Sequence, residues 1–425
     1  MFERTVLPGG PRVISARMPG ARSVSIAAYV LAGSRLEAAD EAGAAHFMEH
    51  ITFKGTAAYP TTRAVSEAIE GFGGSFNAAT DRESTVYWVR VPLHEAPRGL
   101  DVLGELIVRP NLESRDIESE RTVIVEEIRS YQDDPSEQVH TLFDLAMFGD
   151  TALGREIAGS EESVRALPEA NLRAFWSSAY RPGNVVVSAA GDISHEAVVE
   201  LVRGAFGTGA ANHSTFEPAP ALPAGERIMT IRRDATQAQL CLGVPGVRRD
   251  DPEAWTLEVL NAILGDGMSS RLFQSVREDK GLAYDVSSYI VDYIDAGALI
   301  VAAGVDPDKI GPTVEATLGE LARLRDERVP AEELARSKSY LGGRLELRME
   351  ETRHVASWLG GQEALHDKVL TLDEALAELQ TVTAERLHQL AGRLFRDDML
   401  RLAVVAPPRR GRKLESLLRL PGGAA

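Results

Sequence analysis

Apolar residues along this chain switch between the period of a strand and that of a helix, in an order that occurs twice. A strand-like run, "SVSIAAYVL", precedes a helical pattern over Glu41 to Phe53, and "AQLCLGVPGV" precedes another over Pro252 to Leu264. In each half a second helix, two paired strands and closing helices follow. This order predicts an α+β fold of two structurally duplicated halves, each a mainly antiparallel sheet with helices packed on one face.

The stretch between the halves is rich in Ala, Pro and Gly and has no sustained period. Such composition is typical of a linker, here over residues 208–227. The pattern therefore predicts an N-terminal α+β domain over residues 1–210 and a duplicated C-terminal α+β domain over residues 225–425.

Composition narrows the functional classes. The chain has 425 residues, 44% of them hydrophobic and 26% charged, which is typical of a globular protein. A net charge of −17 argues against a nucleic-acid partner and is compatible with cationic peptides, although an acidic, solubilising surface is the simpler explanation of the charge. Cys241 is the single cysteine, so an internal disulfide framework is excluded. The apolar runs are too short to span a membrane, and the N-terminal sequence has no signal-like core, so we expect a cytoplasmic protein.

The segment "GAAHFMEHITFKGT" carries the candidate chemistry. On a helix, with about 100° per residue, His46 and His50 project from one face and Glu49 lies beside it. Two imidazoles one turn apart suit a zinc ion, and an adjacent carboxylate can take a proton from water. The H-x-x-E-H order is a known signature of zinc peptidases. Two histidines packed near a glutamate for structural reasons are the alternative, and core packing would favour Leu or Ile there.

A catalytic zinc site needs a third protein ligand. A long helical pattern over residues 112–135 offers several carboxylates. Glu120 and Glu127 lie seven residues apart and so share one stripe of that helix, whereas Glu126 points away from it. Spacing alone leaves the choice of ligand among these carboxylates open.

"HFMEHITFKGT" followed by "ERTVIVEEI" resembles the pitrilysin/insulinase family of inverted zinc metallopeptidases, in the short-chain branch that includes the β-subunit of the mitochondrial processing peptidase. The resemblance implies a metalloendopeptidase with one Zn²⁺ per chain, held by His46, His50 and Glu127. It also implies that Glu49 is the general base and that Glu120 supports the site without binding the metal.

Further residues follow from the same resemblance. "GGSFNAATDREST" is similar to the family's edge strand, where Asn77 and Ala78 would bind an extended peptide. Arg277 and Tyr284 match a pair that stabilises the developing oxyanion. Glu137 matches a position that binds a basic residue of the substrate, and a solvated helix face explains it equally.

Chain length bears on assembly. Long members of the family enclose a chamber with about twice this length, so the resemblance implies that this chain needs a second subunit, either another copy in a homodimer or a related partner. The competing interpretations are a non-catalytic scaffold or partner subunit of the same fold, and a metalloenzyme of other chemistry. Retention of "HFMEH" argues against the scaffold.

Overall fold

A computed structural model describes residues 2–209, 216–220, 225–366, 368–407 and 414–422. The strands are β1 (Glu3–Val6), β2 (Arg12–Arg17), β3 (Ser23–Val30), β4 (Ser75–Thr80), β5 (Thr85–Pro92), β6 (Val185–Gly191), β7 (Ile228–Arg232), β8 (Ala238–Pro245), β9 (Ala283–Asp292), β10 (Gly297–Val305) and β11 (Arg401–Ala406).

The α-helices are α1 (Ala44–Thr52), α2 (Thr62–Glu70), α3 (Ala96–Val108), α4 (Ser114–Asp133), α5 (Pro135–Phe148), α6 (Glu161–Ala166), α7 (Glu169–Ala179), α8 (His195–Phe206), α9 (Ala254–Leu264), α10 (Ile310–Asp326), α11 (Ala331–Arg348), α12 (Thr352–Leu365), α13 (Leu372–Thr381) and α14 (Ala384–Leu394). A π-helical segment, Phe273–Asp279, precedes β9. Among these helices none has an apolar stretch that could cross a bilayer.

The two sheets have matching strand orders. The first is six-stranded, β1-β2-β6-β3-β5-β4, and the second is five-stranded, β7-β11-β8-β10-β9. In each sheet one pair is parallel, β2 with β6 and β7 with β11, and the other pairs are antiparallel. If β1 is set aside, the orders superimpose strand for strand. The predicted duplication of a mainly antiparallel α+β unit is confirmed.

The chain forms two compact units. The first comprises Met1–Arg129, Glu156–Glu217 and Glu346–Leu372, and the second comprises Ser130–Arg155, Pro218–Leu345 and Asp373–Ala425. The first unit therefore includes α12 from the second half of the sequence, and the second unit includes α5 from the first half. Half of the predicted linker, residues 210–215 and 221–224, lies outside the described residues.

Each sheet has helices on both faces. In the first unit α1, α3, α7 and α8 pack on one face around Val24, Ile26 and Val89, whereas α12 covers Ile14 and Ala190 on the other. In the second unit α5 covers the corresponding face. The prediction placed helices on one face of each sheet, and the structure has a further helix on the second face. Its cause is the sequence of the central strands: all seven residues of β6 are buried, as expected for a strand covered on both sides.

Candidate active site

The helix α1 is anchored by its apolar face. Phe47, Met48 and Ile51 are buried in the core of the first unit, with at most 1% of each exposed. Because residues three and four apart share a helix face, the opposite side presents His46, Glu49 and His50, which are only partly buried. The amphipathic pattern of this single turn therefore places three reactive side chains on the accessible face.

The first turn of α1 is held by a buried carboxylate from the loop before it. Glu37 accepts hydrogen bonds from the backbone N–H of Gly43 (2.9 Å) and of Ala45 (2.7 Å). Such donors at a helix N-terminus have no partner within the helix, and a negative charge is favourable there. Gly43 has a φ of 99°, and a Cβ on it would lie 2.6 Å from the Ala158 carbonyl oxygen, so the turn requires glycine.

The helix α4 brings the acidic residues to α1. Ile117, Ile124 and Ile128 on α4 are buried in the core of the first unit. Glu120 lies on this buried side and is 4% exposed, while the side chain of Glu127 is 26% exposed. The predicted stripe of carboxylates among apolar residues is therefore a face of α4 that packs inside the protein.

Three possible ligand atoms converge between α1 and α4. Nε2 of His50 lies 3.3 Å from Oε2 of Glu127, and Nε2 of His46 lies 3.9 Å from Oε1 of the same carboxylate. The two imidazole rings are 4.5 Å apart between centroids. One ligand atom from each of the three side chains lies within 4.8 Å of the other two.

A second carboxylate orients His50 from behind. Nδ1 of His50 donates to Oε1 of Glu120 at 3.0 Å, which leaves Nε2 directed toward Glu127. The other oxygen of Glu120 forms an ion pair with Lys54. Burial raises the pKa of Glu120, but the bonds from His50 and Lys54 outweigh it and hold the pKa below its usual value. Glu120 is therefore an ionised acceptor for the imidazole.

The pKa values of the two histidines are shifted in opposite directions. Burial and the neighbouring His50 lower the pKa of His46 to about 4, so this ring is neutral at pH 7 and offers a lone pair. Burial would also lower the pKa of His50, but hydrogen bonds to Glu120 and Glu127 dominate and raise it to about 9. In the absence of a metal, a proton on His50 thus balances the two carboxylates.

Glu49 lies beside this cluster and is held by the strand β4. Its Oε2 accepts a hydrogen bond of 2.6 Å from the hydroxyl of Thr80. Burial raises the pKa of Glu49 above its usual value, and the hydroxyl and backbone N–H of Thr80 act against that rise by stabilising the carboxylate. A partly buried carboxylate of this kind is suited to accept and return a proton.

The strand β4 forms an edge of the first sheet. The backbone N–H of Asp81 donates to the carbonyl oxygen of Ser84, so Asp81 and Ser84 are a hydrogen-bonded pair. Hydrogen-bonded and non-hydrogen-bonded pairs alternate along antiparallel strands, so the next pair, Thr80 with Thr85, is not hydrogen-bonded. The backbone N–H and carbonyl group of Thr80 therefore point away from β5, toward the edge of the sheet. By alternation those of Ala78 point outward as well, and the Ala78 N–H is bonded to the side chain of Asn77 at 2.9 Å. Asn77 and Ala78 thus lie at an open edge, on the strand that contacts α1 through Thr80.

The remaining predicted residues lie in the second unit. Arg277 is in the π-helical segment and its guanidinium carbon is 5.5 Å from the ring centroid of Tyr284, so the predicted pair is in contact. Tyr284, at the start of β9, is 77% exposed. Glu137 is an exposed residue in the first turn of α5.

The donor set fits a zinc ion. Two imidazole nitrogens and one carboxylate oxygen, with a fourth position left for water, are the protein ligands of many catalytic zinc sites. Histidines that bind metals commonly donate their other N–H to a carboxylate, as His50 does to Glu120. Within the described ranges His46, His50 and Glu127 are the single group of this kind.

The family models decide the relationship of the chain to known proteins. A model described as insulinase (peptidase family M16) matches residues 12–161, and one described as the peptidase M16 inactive domain matches residues 166–341. The chain belongs to the insulinase family. The model that matches the metal-binding candidates is the first, and the model of the second half is described as inactive, in agreement with the absence of the histidine motif there.

Relatives share most of the length of the chain. A protein of Streptomyces coelicolor named as an uncharacterized zinc protease is 37% identical, over 91% of this chain and 86% of its own. A Bacillus subtilis protein with the same designation is 35% identical, over 96% of this chain and 98% of its own. Members of the insulinase family that resemble this chain along most of its length are thus named as zinc proteases.

Solved structures show the same fold. A protease from Helicobacter pylori has a TM-score of 0.90 at 21% identity, and covers 96% of this chain and 100% of its own. A structure from Pseudomonas fluorescens described as a peptidase M16 inactive domain has a TM-score of 0.88 at 21% identity, with 97% and 100% coverage. Both agree with the predicted architecture of two similar halves.

Three residues at the site were not predicted from the sequence: Glu37, Lys54 and Thr80. Two of them have a recognisable signal. Lys54 follows His50 by four residues, so it is within reach of the same turn, and Thr80 follows Ala78 by two, so both side chains lie on one face of β4. Glu37 has no signal of this kind, because a loop places it.

Proposed function

We propose that the chain is a zinc-dependent endopeptidase that hydrolyses extended peptides. The single observation that supports this most strongly is the convergence of His46, His50 and Glu127 within 4.8 Å, with a carboxylate, Glu49, beside them. The names of the relatives agree with it. The H-x-x-E-H order makes the chain an inverted zincin.

The residues divide the chemistry among them. His46, His50 and Glu127 would hold the zinc ion, and Glu120 fixes the orientation and tautomer of His50. When bound, zinc supplies a positive charge that makes water more acidic and polarises a carbonyl group. Glu49 accepts a proton from the attacking water and passes it to the leaving amine.

The substrate is an extended peptide that adds as a strand to β4. Backbone groups of Ala78 and the carbonyl group of Thr80 point to the open edge, so they can pair with a peptide whatever its side chains are, while the Thr80 N–H faces Glu49. The side-chain oxygen of Asn77 accepts a hydrogen bond from the Ala78 N–H, so this side chain must move before a peptide can pair with that N–H. This bond also protects an exposed edge from unwanted pairing while no peptide is present.

Assembly and charge complete the proposal. A homodimer, or a pair with a related subunit, encloses the chamber, and Arg277 and Tyr284 of one chain donate hydrogen bonds to the oxyanion at the zinc site of the other. An acidic chain with Glu137 exposed favours basic residues in the substrate. The contact between the Arg277 guanidinium and the Tyr284 ring supports their action as one unit.

Peptide cleavage tests the proposed activity. The protein loaded with zinc should cleave an internally quenched peptide, a chelator should abolish the cleavage, and added zinc should restore it. A matched Glu49→Gln protein keeps all three metal-binding side chains and should bind zinc without cleavage. A wild type that binds zinc tightly but cleaves no peptide would support a metalloenzyme of other chemistry, and one that binds none would support the non-catalytic scaffold.

A further inference from the structure

The edge strand and the proton acceptor are connected through one residue. Thr80 is the last residue of β4, and its side chain lies on the same face of the strand as those of Phe76 and Ala78. This face is the less exposed one, and Ala78 on it packs in the core cluster that includes Phe47 and Met48 of α1. The Thr80 backbone groups, in contrast, point to the open edge; its N–H faces the Glu49 carboxylate there, and its carbonyl oxygen is the group available to a peptide.

The hydroxyl of Thr80 has a near and a distant hydrogen-bond neighbour. Oγ1 of Thr80 donates to Oε2 of Glu49 at 2.6 Å, a short bond to a carboxylate. Its other neighbour is Oγ1 of Thr85 at 3.4 Å, and that hydroxyl donates its own proton to the carbonyl oxygen of Ala32 at 2.9 Å. The Thr80 proton is assigned to Glu49 because the carboxylate oxygen is charged and 0.8 Å closer than the hydroxyl of Thr85.

This hydrogen bond fixes the Glu49 carboxylate from β4, the strand to which a peptide would add. A glutamate side chain has several rotatable bonds, and fixing one in a productive geometry requires a partner. Here the partner is part of the edge to which a peptide would add. A peptide that pairs with the Thr80 carbonyl group therefore also restricts the position of the hydroxyl and the N–H that hold Glu49.

We propose that Thr80 is a positioning residue that couples the addition of a peptide to β4 with the orientation of Glu49. The inference rests on the proposed function and deepens it. Binding energy from parts of the peptide away from the scissile bond is then used to align the proton acceptor, so it raises kcat rather than only lowering KM.

Two variants and two peptides test this coupling. Thr80→Val keeps the shape and branching of the side chain and removes the hydroxyl, and Thr80→Ser restores the hydroxyl. A short and a long peptide share one scissile bond, and only the long one spans the six residues of β4. Thr381→Val, which removes a hydroxyl that donates to the backbone of α13, is the control.

The expected result is a change in kcat alone. Thr80→Val should lower kcat on the long peptide by about 10- to 100-fold, the range for loss of one hydrogen bond to a charged group. KM, zinc content and thermal unfolding should match the wild type. Thr80→Ser should recover most of kcat. The increase in kcat from the short to the long peptide should be present in the wild type and in Thr381→Val, and lost in Thr80→Val.

A binding measurement provides a readout without turnover. A labelled long peptide should bind zinc-loaded Glu49→Gln and Glu49→Gln/Thr80→Val with equal affinity, because Thr80 acts on the carboxylate and not on affinity. Weaker binding by the double variant would overturn the inference, as would the same gain in kcat with peptide length in Thr80→Val and wild type. A zinc-loaded wild type that cleaves neither peptide would overturn the proposed function as well.

Discussion

Lys54 is the outermost member of a row of three charged or polar side chains. It pairs with Glu120, and Glu120 accepts the Nδ1–H of His50, which presents Nε2 toward Glu127. Partners behind a metal ligand set its orientation and its basicity. A side chain that never reaches the metal can therefore control how tightly the metal is held.

We expect Lys54→Met to weaken zinc binding by about 10-fold or more, in the range found for residues that support metal ligands. Without the ammonium group, the Glu120 carboxylate loses the partner that fixes its position and favours its ionised form, so it orients His50 less well. Competition with a chromophoric chelator measures the change. Lys338→Met, which removes a lysine bonded to the backbone of the second unit, should bind zinc like the wild type. Equal affinities for the two variants would contradict the argument.

Glu49 and His50 are neighbours with separable roles. Glu49→Gln should retain stoichiometric zinc and lose about 10²- to 10⁴-fold in kcat, the usual contribution of a general base. His50→Ala should lose zinc as well as activity, because one of three ligands is gone. Metal analysis after dialysis, beside the peptide assay, separates them. A Glu49→Gln protein with unchanged kcat would show that another group takes the proton.

For single residues, the sequence predicts the candidate metal ligands better than it predicts the residues that hold the site in place. His46, Glu49 and His50 lie on one helical turn, so periodicity alone places them together; the structure brings Glu127 close to the two histidines, whereas spacing alone left the choice among the carboxylates open. Thr80 and Glu37 matter because of tertiary contacts with α1, from positions that no helix period relates to it. A local pattern contains no information about such contacts.

For single helices and strands, too, the sequence predicts the local element better than the tertiary contacts around it. The predicted helix from Glu41 to Phe53 is α1, and its start differs because Glu41 belongs to a separate 3-10 turn and Gly43 begins the helix. The run "SVSIAAYVL" is predicted as a strand and forms β3, whereas the pattern analysis did not predict β6; the residues of both strands are buried almost without interruption. Apolar runs of this kind indicate cover on both faces, and the sequence does not say which helix provides it.

The anchoring of α1 gives a prediction for this element. Glu37→Gln should lower the free energy of unfolding by about 1–3 kcal/mol, because a buried charged acceptor for two backbone N–H groups is replaced by an amide with one oxygen. Urea unfolding of the metal-free protein measures it. Glu67→Gln, on the exposed face of α2, is the matched control and should change stability little. A loss confined to the control would refute the role of Glu37.

The duplication matters for the whole molecule because the chemistry is not duplicated. The second sheet repeats the strand order of the first, yet the position of α1 is taken by α9, whose sequence "AWTLEVLNAIL" carries no histidine. One half can therefore hold a metal, while the other offers Arg277 and Tyr284. This division of residues is what the proposed dimer uses.

Mixed dimers test that division. Glu49→Gln and Arg277→Ala chains should each be inactive alone, and an equal mixture that exchanges subunits should recover about one quarter of the wild-type activity, since half of the dimers are mixed and one of their two sites is intact. The peptide assay after mixing measures the recovery, with size-exclusion chromatography as the check on dimers. If verified mixed dimers recover no activity, Arg277 acts on the zinc site of its own chain.

The helix α12 has a consequence for biogenesis. It covers Ile14 and Ala190 in the first unit, yet a ribosome must still translate residues 192–351 after β6 before α12 can emerge. Because chains begin to fold during translation, at about 5–20 residues per second, this apolar surface stays uncovered for several seconds or more. Nascent chains stalled before Thr352 should therefore be clients of a chaperone, and release of the full-length polypeptide should end that dependence.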